Sequence, residues 1–310
     1  MNNSEFDFEN NRYTIESWAV RNGFAHWAIA LIWLIIAFVL FQLTAGLVYA
    51  LLLFATGEIE NISGLGAAMM TRLDLLFIGN STGQILFLGL ATFAVVRLHL
   101  TDETARKFMR MTWSQDTSKY MLIAVIFAIV IQPLVLFLGH LNSMIPVPDS
   151  LIEMQESQFQ MLEGFLKSDG VVWFALINIA LVPAFAEEFL FRGYILRAFE
   201  KSWGIIAAII ISSLIFGLFH LQLTNLLPLA TLGGMMAILT WISGSVWPAV
   251  LAHFLNNGAA VVMATYFPEM AFADTTASAM PPIWALVLSM LLTGYVLWYL
   301  FNTSKQEVAV

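Results

Sequence analysis

Apolar positions in this chain come in long unbroken runs rather than in alternation. Stretches rich in Leu, Ile, Val, Phe and Ala extend over about 27–53, 74–96, 119–144, 171–198, 204–221, 226–243, 246–267 and 282–301. Crossing the hydrocarbon core of a bilayer takes about 20 such residues. Inside a bilayer the backbone has no water to bond, so apolar runs of this kind are expected to be helices. The pattern predicts an all-α, polytopic membrane protein with about eight transmembrane helices. The first run follows a polar leader (MNNSEFDFENNRYTIESWAV…) and is too long for a signal-peptide core, so it is expected to be retained.

Composition agrees. Of 310 residues, 60% are hydrophobic and 11% charged, against roughly a quarter charged in soluble domains. The absence of cysteine rules out disulfides, thiolate metal sites and a cysteine nucleophile. The net charge of −8 is carried by loops, and no basic cluster of the nucleic-acid-binding kind occurs, so no nucleic-acid partner is expected.

Basic residues set the expected orientation. Arg12 and Arg21 lie in the leader, and Arg97, Arg106, Lys107, Arg110 and Lys119 lie between the second and third runs. Arg197 and Lys201 follow the fourth run, and Lys305 lies in the C-terminal tail. The alternate loops hold only Arg72 and Lys167. Both termini are therefore expected in the cytoplasm of a multi-pass cell-membrane protein. The acidic loop 145–170 has Leu151, Met154, Leu162, Phe165 and Leu166 at roughly helical spacing, which predicts an amphipathic helix near 150–168 on the outer surface; an ordinary connector without a role is the competing reading.

Four parts follow: a cytoplasmic N-terminal tail (1–25), N-terminal transmembrane helices with the amphipathic loop (26–169), a core (170–267), and a last helix with the C-terminal tail (268–310).

The core carries the chemistry. "LVPAFAEEFLFRGYI" places Glu187, Glu188 and Arg192 inside an apolar run. Pro183 lacks an amide N–H and releases the carbonyl of Ile179 just before the carboxylates. Glu188 and Arg192, four apart with the acid first, suit an ion pair. Glu187, about 100° further round, is left without a local partner, and its desolvation suits it to proton transfer. A purely structural bridge between helices competes with that reading.

Two further runs weigh against the structural bridge. "SSLIFGLFHLQ" sets Phe216 and His220 four apart, and "VWPAVLAHFLNNGAA" sets His253 and Asn257 four apart. Either histidine alone reads as a satisfied helix–helix contact. His26, His99 and His140 lie near the ends of runs and call for no special account. At 1.5 Å per residue, Glu187 and His220 lie roughly 24 and 26 Å from a turn near Trp203–Gly204, and His253 about 14 Å from one near Gly244. The difference closes if the 192–201 hairpin protrudes about 10 Å into the cytoplasm, which puts the site within the bilayer but nearer its cytoplasmic side.

EEFLFR, FGLFH and HFLNN, in that order on successive helices, resemble the motifs EExxxR, FxxxH and HxxxN of the CPBP or ABI family of intramembrane endopeptidases, which includes the type II CAAX prenyl proteases and bacteriocin-immunity proteins. The resemblance covers about 170–265, and no motif position departs from the pattern. It implies that Glu187 and His220 activate a water for attack on a peptide carbonyl. It further implies that His253 and Asn257 donate to the oxyanion, that Glu188 and Arg192 support Glu187, and that Phe216 packs. The implied substrate is a membrane-associated peptide or protein, lipidated in the CAAX proteases, and no cofactor is needed. Two alternatives stand beside it. Glu187, His220 and His253 form a chemically reasonable zinc-ligand set, although HExxH is absent. The chain could instead be a non-enzymatic immunity or membrane-binding protein, or a transporter, against which the lack of half-repeat symmetry counts.

Overall fold

The computed structural model describes residues 5–7, 12–14, 16–68, 71–101, 103–271 and 280–303. Lys305 and the rest of the C-terminal tail lie outside the described residues. Ten helices carry the architecture: α1 (His26–Ala55), α2 (Leu73–His99), α3 (Thr117–Val130), α4 (Gln132–Ser143), α5 (Asp149–Leu166), α6 and α7 (the arms 172–203 and 205–219 of Val172–Phe219), α8 (Leu226–Ser243), α9 (Trp247–Tyr266) and α10 (Ile283–Thr303). The only strands among the described residues form a small ribbon in the leader, Glu5–Asp7 against Arg12–Thr14. The protein is all-α and polytopic.

Every predicted apolar run is helical; the count of eight spans is not confirmed. Among the described residues five helices are long and apolar enough to cross a membrane, or six if α3 and α4 are taken together. Val172–Phe219 is one 48-residue stretch, turned at Gly204, whose φ of 78° and ψ of 169° are non-helical. Helix α9, whose polar residues include His253, Asn256 and Asn257, is not among the five. The acidic loop does form a helix, α5, tied to the bundle where Thr224 donates to Gln155 and where the Phe165 ring packs 5.2 Å from that of Phe77.

Close packing between α1 and α2 depends on two glycines. A Cβ on Gly79 would lie 2.5 Å from the Ala45 carbonyl oxygen, and one on Gly83 would lie 2.5 Å from that of Phe41. Small residues four apart let two apolar helices approach where burial from water supplies no driving force.

The bend between α3 and α4 is 47° and has an identifiable cause. The Ser289 hydroxyl, from α10, inserts into the helical ladder: it donates to the Val130 carbonyl at 2.6 Å and accepts from the Leu134 amide at 3.3 Å. Pro133, at the start of α4, removes a further donor.

A strap at 105–112 holds the two halves of the core at their loop end. The Val246 amide donates to the Arg110 carbonyl at 2.8 Å, the Trp247 indole to that of Met111, and Arg197 to that of Phe108. Arg110 and Arg197 share Glu200 at 3.1 and 2.5 Å, and burial pushes the Arg110 guanidinium down to about 10.

Candidate active site

Local geometry around the paired glutamates departs from a plain α-helix. Wider π-helical turns at Leu176–Leu181 and Phe189–Ile195 flank the α-helical Val182–Glu188. Such turns recur at functional sites because they re-aim side chains. Pro183 leaves the Ile179 carbonyl without its ordinary donor, as its sequence position predicts, and the side-chain amide of Asn257 takes that place: Nδ2 donates to the Ile179 carbonyl at 3.2 Å.

Glu188 and Arg192 pair as expected, at 2.9 Å and almost wholly buried. The pair does not stand alone. The same Glu188 oxygen, Oε1, accepts from Nδ1 of His253 at 2.8 Å. A second Arg192 nitrogen donates to the Gly233 carbonyl at 2.9 Å, and the guanidinium lies 4.3 Å from the Phe216 ring centre. Burying this cation costs several kcal/mol unless it is paired and hydrogen-bonded, and α6, α7 and α8 supply those contacts together. Phe216 is a packing residue, as predicted; its ring also meets those of His220 and His253 edge-on, at 4.8 and 6.0 Å.

Glu187 is 6% exposed. Its Oε2 has no hydrogen-bond partner among the described residues and lies 3.7 Å from Nε2 of His220, beyond a direct hydrogen bond. His220 sits where α7 ends and donates Nδ1–H to the Phe216 carbonyl at 2.8 Å. A carbonyl only accepts, so Nδ1 carries a proton and Nε2 is the nitrogen turned toward Glu187. A carboxylate oxygen and an imidazole nitrogen thus face one another across a gap that a small molecule such as water would fill.

A small cavity of about 30 Å³ opens beside them, with His220, His253, Asn256, Asn257, Met235 and Met236 in its wall. That is room for about two water molecules. Glu187 is beside His220 but is not itself in the wall. The four residues expected to converge thus come together as two pairs: Glu187 with His220, and His253 with Asn257 one helical turn apart on α9. His253 and Asn257 are anchored through Glu188 and Ile179 rather than to each other.

The zinc-ligand alternative does not fit this arrangement. No three His, Asp or Glu side chains among the described residues are grouped so as to hold a metal ion. Nδ1 of His220 is taken by the Phe216 carbonyl and Nδ1 of His253 by Glu188.

Two groups of polar residues escape the sequence reading. Gln132 donates from Nε2 to the Asn256 side-chain oxygen at 3.2 Å, and Asn256 donates to that of Asn257 at 3.2 Å. The signals were present: a glutamine preceding a proline in an apolar run, and a doubled asparagine. Elsewhere, His26 and His99 share a 2.8 Å contact, and His99, fully buried, also meets the Tyr194 hydroxyl at 2.8 Å. Helical periodicity alone brings none of these together.

Fold and site define a polytopic membrane protein with a buried carboxylate–imidazole centre. Residues 169–259 match the family described as type II CAAX prenyl endopeptidase Rce1-like. The chain is 32% identical over 88 residues to "Putative membrane peptidase YdiL" of Bacillus subtilis (strain 168), a match covering 28% of this chain and 36% of that protein. No solved structure matches. The CPBP-family resemblance read from the three motifs is upheld over this core.

Proposed function

We propose that the protein is an intramembrane endopeptidase in which Glu187 activates a water. The observation that carries this reading is the buried, unpartnered Glu187 oxygen 3.7 Å from Nε2 of His220, which accepts when the ring is neutral. Two acceptors so placed are suited to share a water that donates one O–H to each and turns its own lone pair toward the cavity. As the water oxygen attacks a peptide carbonyl carbon, Glu187 takes its proton. Charge developing on the carbonyl oxygen is met by Asn257 Nδ2–H and by Nε2–H of protonated His253, whose cation Glu188 stabilises through Nδ1. Glu187 then returns the proton to the leaving nitrogen as the C–N bond breaks. Water and amide become acid and amine, with no metal in any step.

The substrate is a membrane-associated peptide or protein, and the matching family's description, a CAAX prenyl endopeptidase, makes prenylated CAAX sequences the first class to test. On this reading both termini face the cytoplasm and the site lies nearer that side; the excess of Lys and Arg in the loops assigned to that side supports the orientation.

Comparison of membrane-protein termini in cells producing wild-type or Glu187→Gln protein at equal levels tests the reading. A set of termini should be lost with Glu187→Gln. Identical sets would remove the protease reading.

A further inference from the structure

We infer that Gln132 and Asn256 are positioning residues that set the amide orientation of Asn257, an inference that rests on the endopeptidase reading. Three side-chain amides run in line from α4 to α9. Gln132 Nε2 donates to the Ala128 carbonyl at 2.7 Å and to Asn256 Oδ1 at 3.2 Å. Asn256 Nδ2 donates to Asn257 Oδ1 at 3.2 Å, and Asn257 Nδ2 to the Ile179 carbonyl at 3.2 Å.

Both ends of the line are main-chain carbonyls, which only accept. At the first end Gln132 must present nitrogen to Ala128, and the same nitrogen then faces oxygen on Asn256. At the other end Asn257 must present nitrogen to Ile179, which turns its oxygen to Asn256. Only one orientation of all three amides satisfies every contact, so the choice of O and N follows from the partners themselves. Asn257 has one N–H left over, and its side chain lines the cavity with Asn256. A flipped Asn257 would offer an oxygen to an oxyanion in place of a donor.

The line begins at the bend of the α3–α4 pair, where Gln132 is the first residue of α4. Its purpose is therefore open to a competing account, in which Gln132 merely caps that bend. Ser289 separates the two, because it occupies the same bend without touching the amide line.

The test uses purified full-length protein in liposomes, with membrane proteins extracted from a bacterium as the probe. New termini are counted by mass spectrometry as the amount of extract is varied. Gln132→Leu and Asn256→Leu should lower the saturating rate about tenfold or more, with the half-saturating amount unchanged, because the lost orientation acts on the transition state. In an Asn257→Ala background each should change the rate less than about twofold, as expected of coupled residues. Ser289→Ala should lower the unfolding midpoint and leave the rate near wild type. Gln132→Glu, of equal size, should also lower the rate, because an ionised carboxylate cannot donate and a protonated one has a single O–H where the Ala128 carbonyl and Asn256 each take one. A folded Gln132→Leu at the wild-type rate overturns the inference, as do losses that multiply in the Asn257→Ala background. If neither Gln132 variant folds, the residue is structural and the inference falls. Activity of Glu187→Gln would sink the endopeptidase reading itself; an inactive Glu187→Gln beside a normal Gln132→Leu sinks only the positioning role.

Discussion

His253 directs Nδ1 to Glu188, at 2.8 Å, and so shares a carboxylate oxygen with Arg192 on the neighbouring helix. One buried acid therefore joins the ion pair of α6 to the imidazole of α9. Glu187, its neighbour in sequence, instead faces His220 across a 3.7 Å gap, and the two acids should respond differently to substitution.

Glu188→Gln removes the charge that balances Arg192, which is 2% exposed. Leaving a buried charge uncompensated costs about 3–5 kcal/mol. Unfolding of the detergent-solubilised protein should show a loss of that size together with lost turnover. Glu187→Gln should unfold near the wild-type midpoint yet turn over orders of magnitude more slowly. Equal stability of the two variants would mean that Glu188 does not hold Arg192 in place.

Activity should be independent of metal. Purified protein dialysed at length against a strong chelator should keep its rate, and elemental analysis should find far less than one zinc per chain. Loss on chelation with recovery on stoichiometric zinc would reassign the nucleophile to a metal-bound water.

Pro183→Ala supplies a main-chain N–H that can compete with Asn257 for the Ile179 carbonyl. The saturating rate should fall several-fold while the protein remains folded by gel filtration. An unchanged rate would show that Asn257 does not depend on that carbonyl for its position.

Gly79→Ala and Gly83→Ala should each lower the unfolding midpoint, because the added Cβ meets a backbone oxygen of α1 at 2.5 Å and neither backbone can yield without parting the helices. Gly46→Ala, with nothing within 4 Å of its Cβ, should match wild type or exceed it. Indifference at all three positions would mean that α1 and α2 do not pack this closely.

The membrane class, the helical runs and the residues worth watching are all legible in the order of residues along the chain. Charges and histidines stand out in an apolar run because burying them is costly. Contacts confined to one helix are legible there too. Glu188 and Arg192 meet because they are four apart, His220 reaches back to Phe216 for the same reason, and Pro183 must release the Ile179 carbonyl. Packing of the helices settles which acid His253 faces, what occupies the Ile179 carbonyl, and that Gln132 reaches Asn256. It also settles that the third apolar run is a bent pair and that Val172–Phe219 is one stretch turned at Gly204. Those outcomes depend on how each helix is rotated and at what depth it sits. In a bilayer the apolar pattern does not encode either quantity, because a lipid-facing leucine and a helix-facing leucine look alike in sequence.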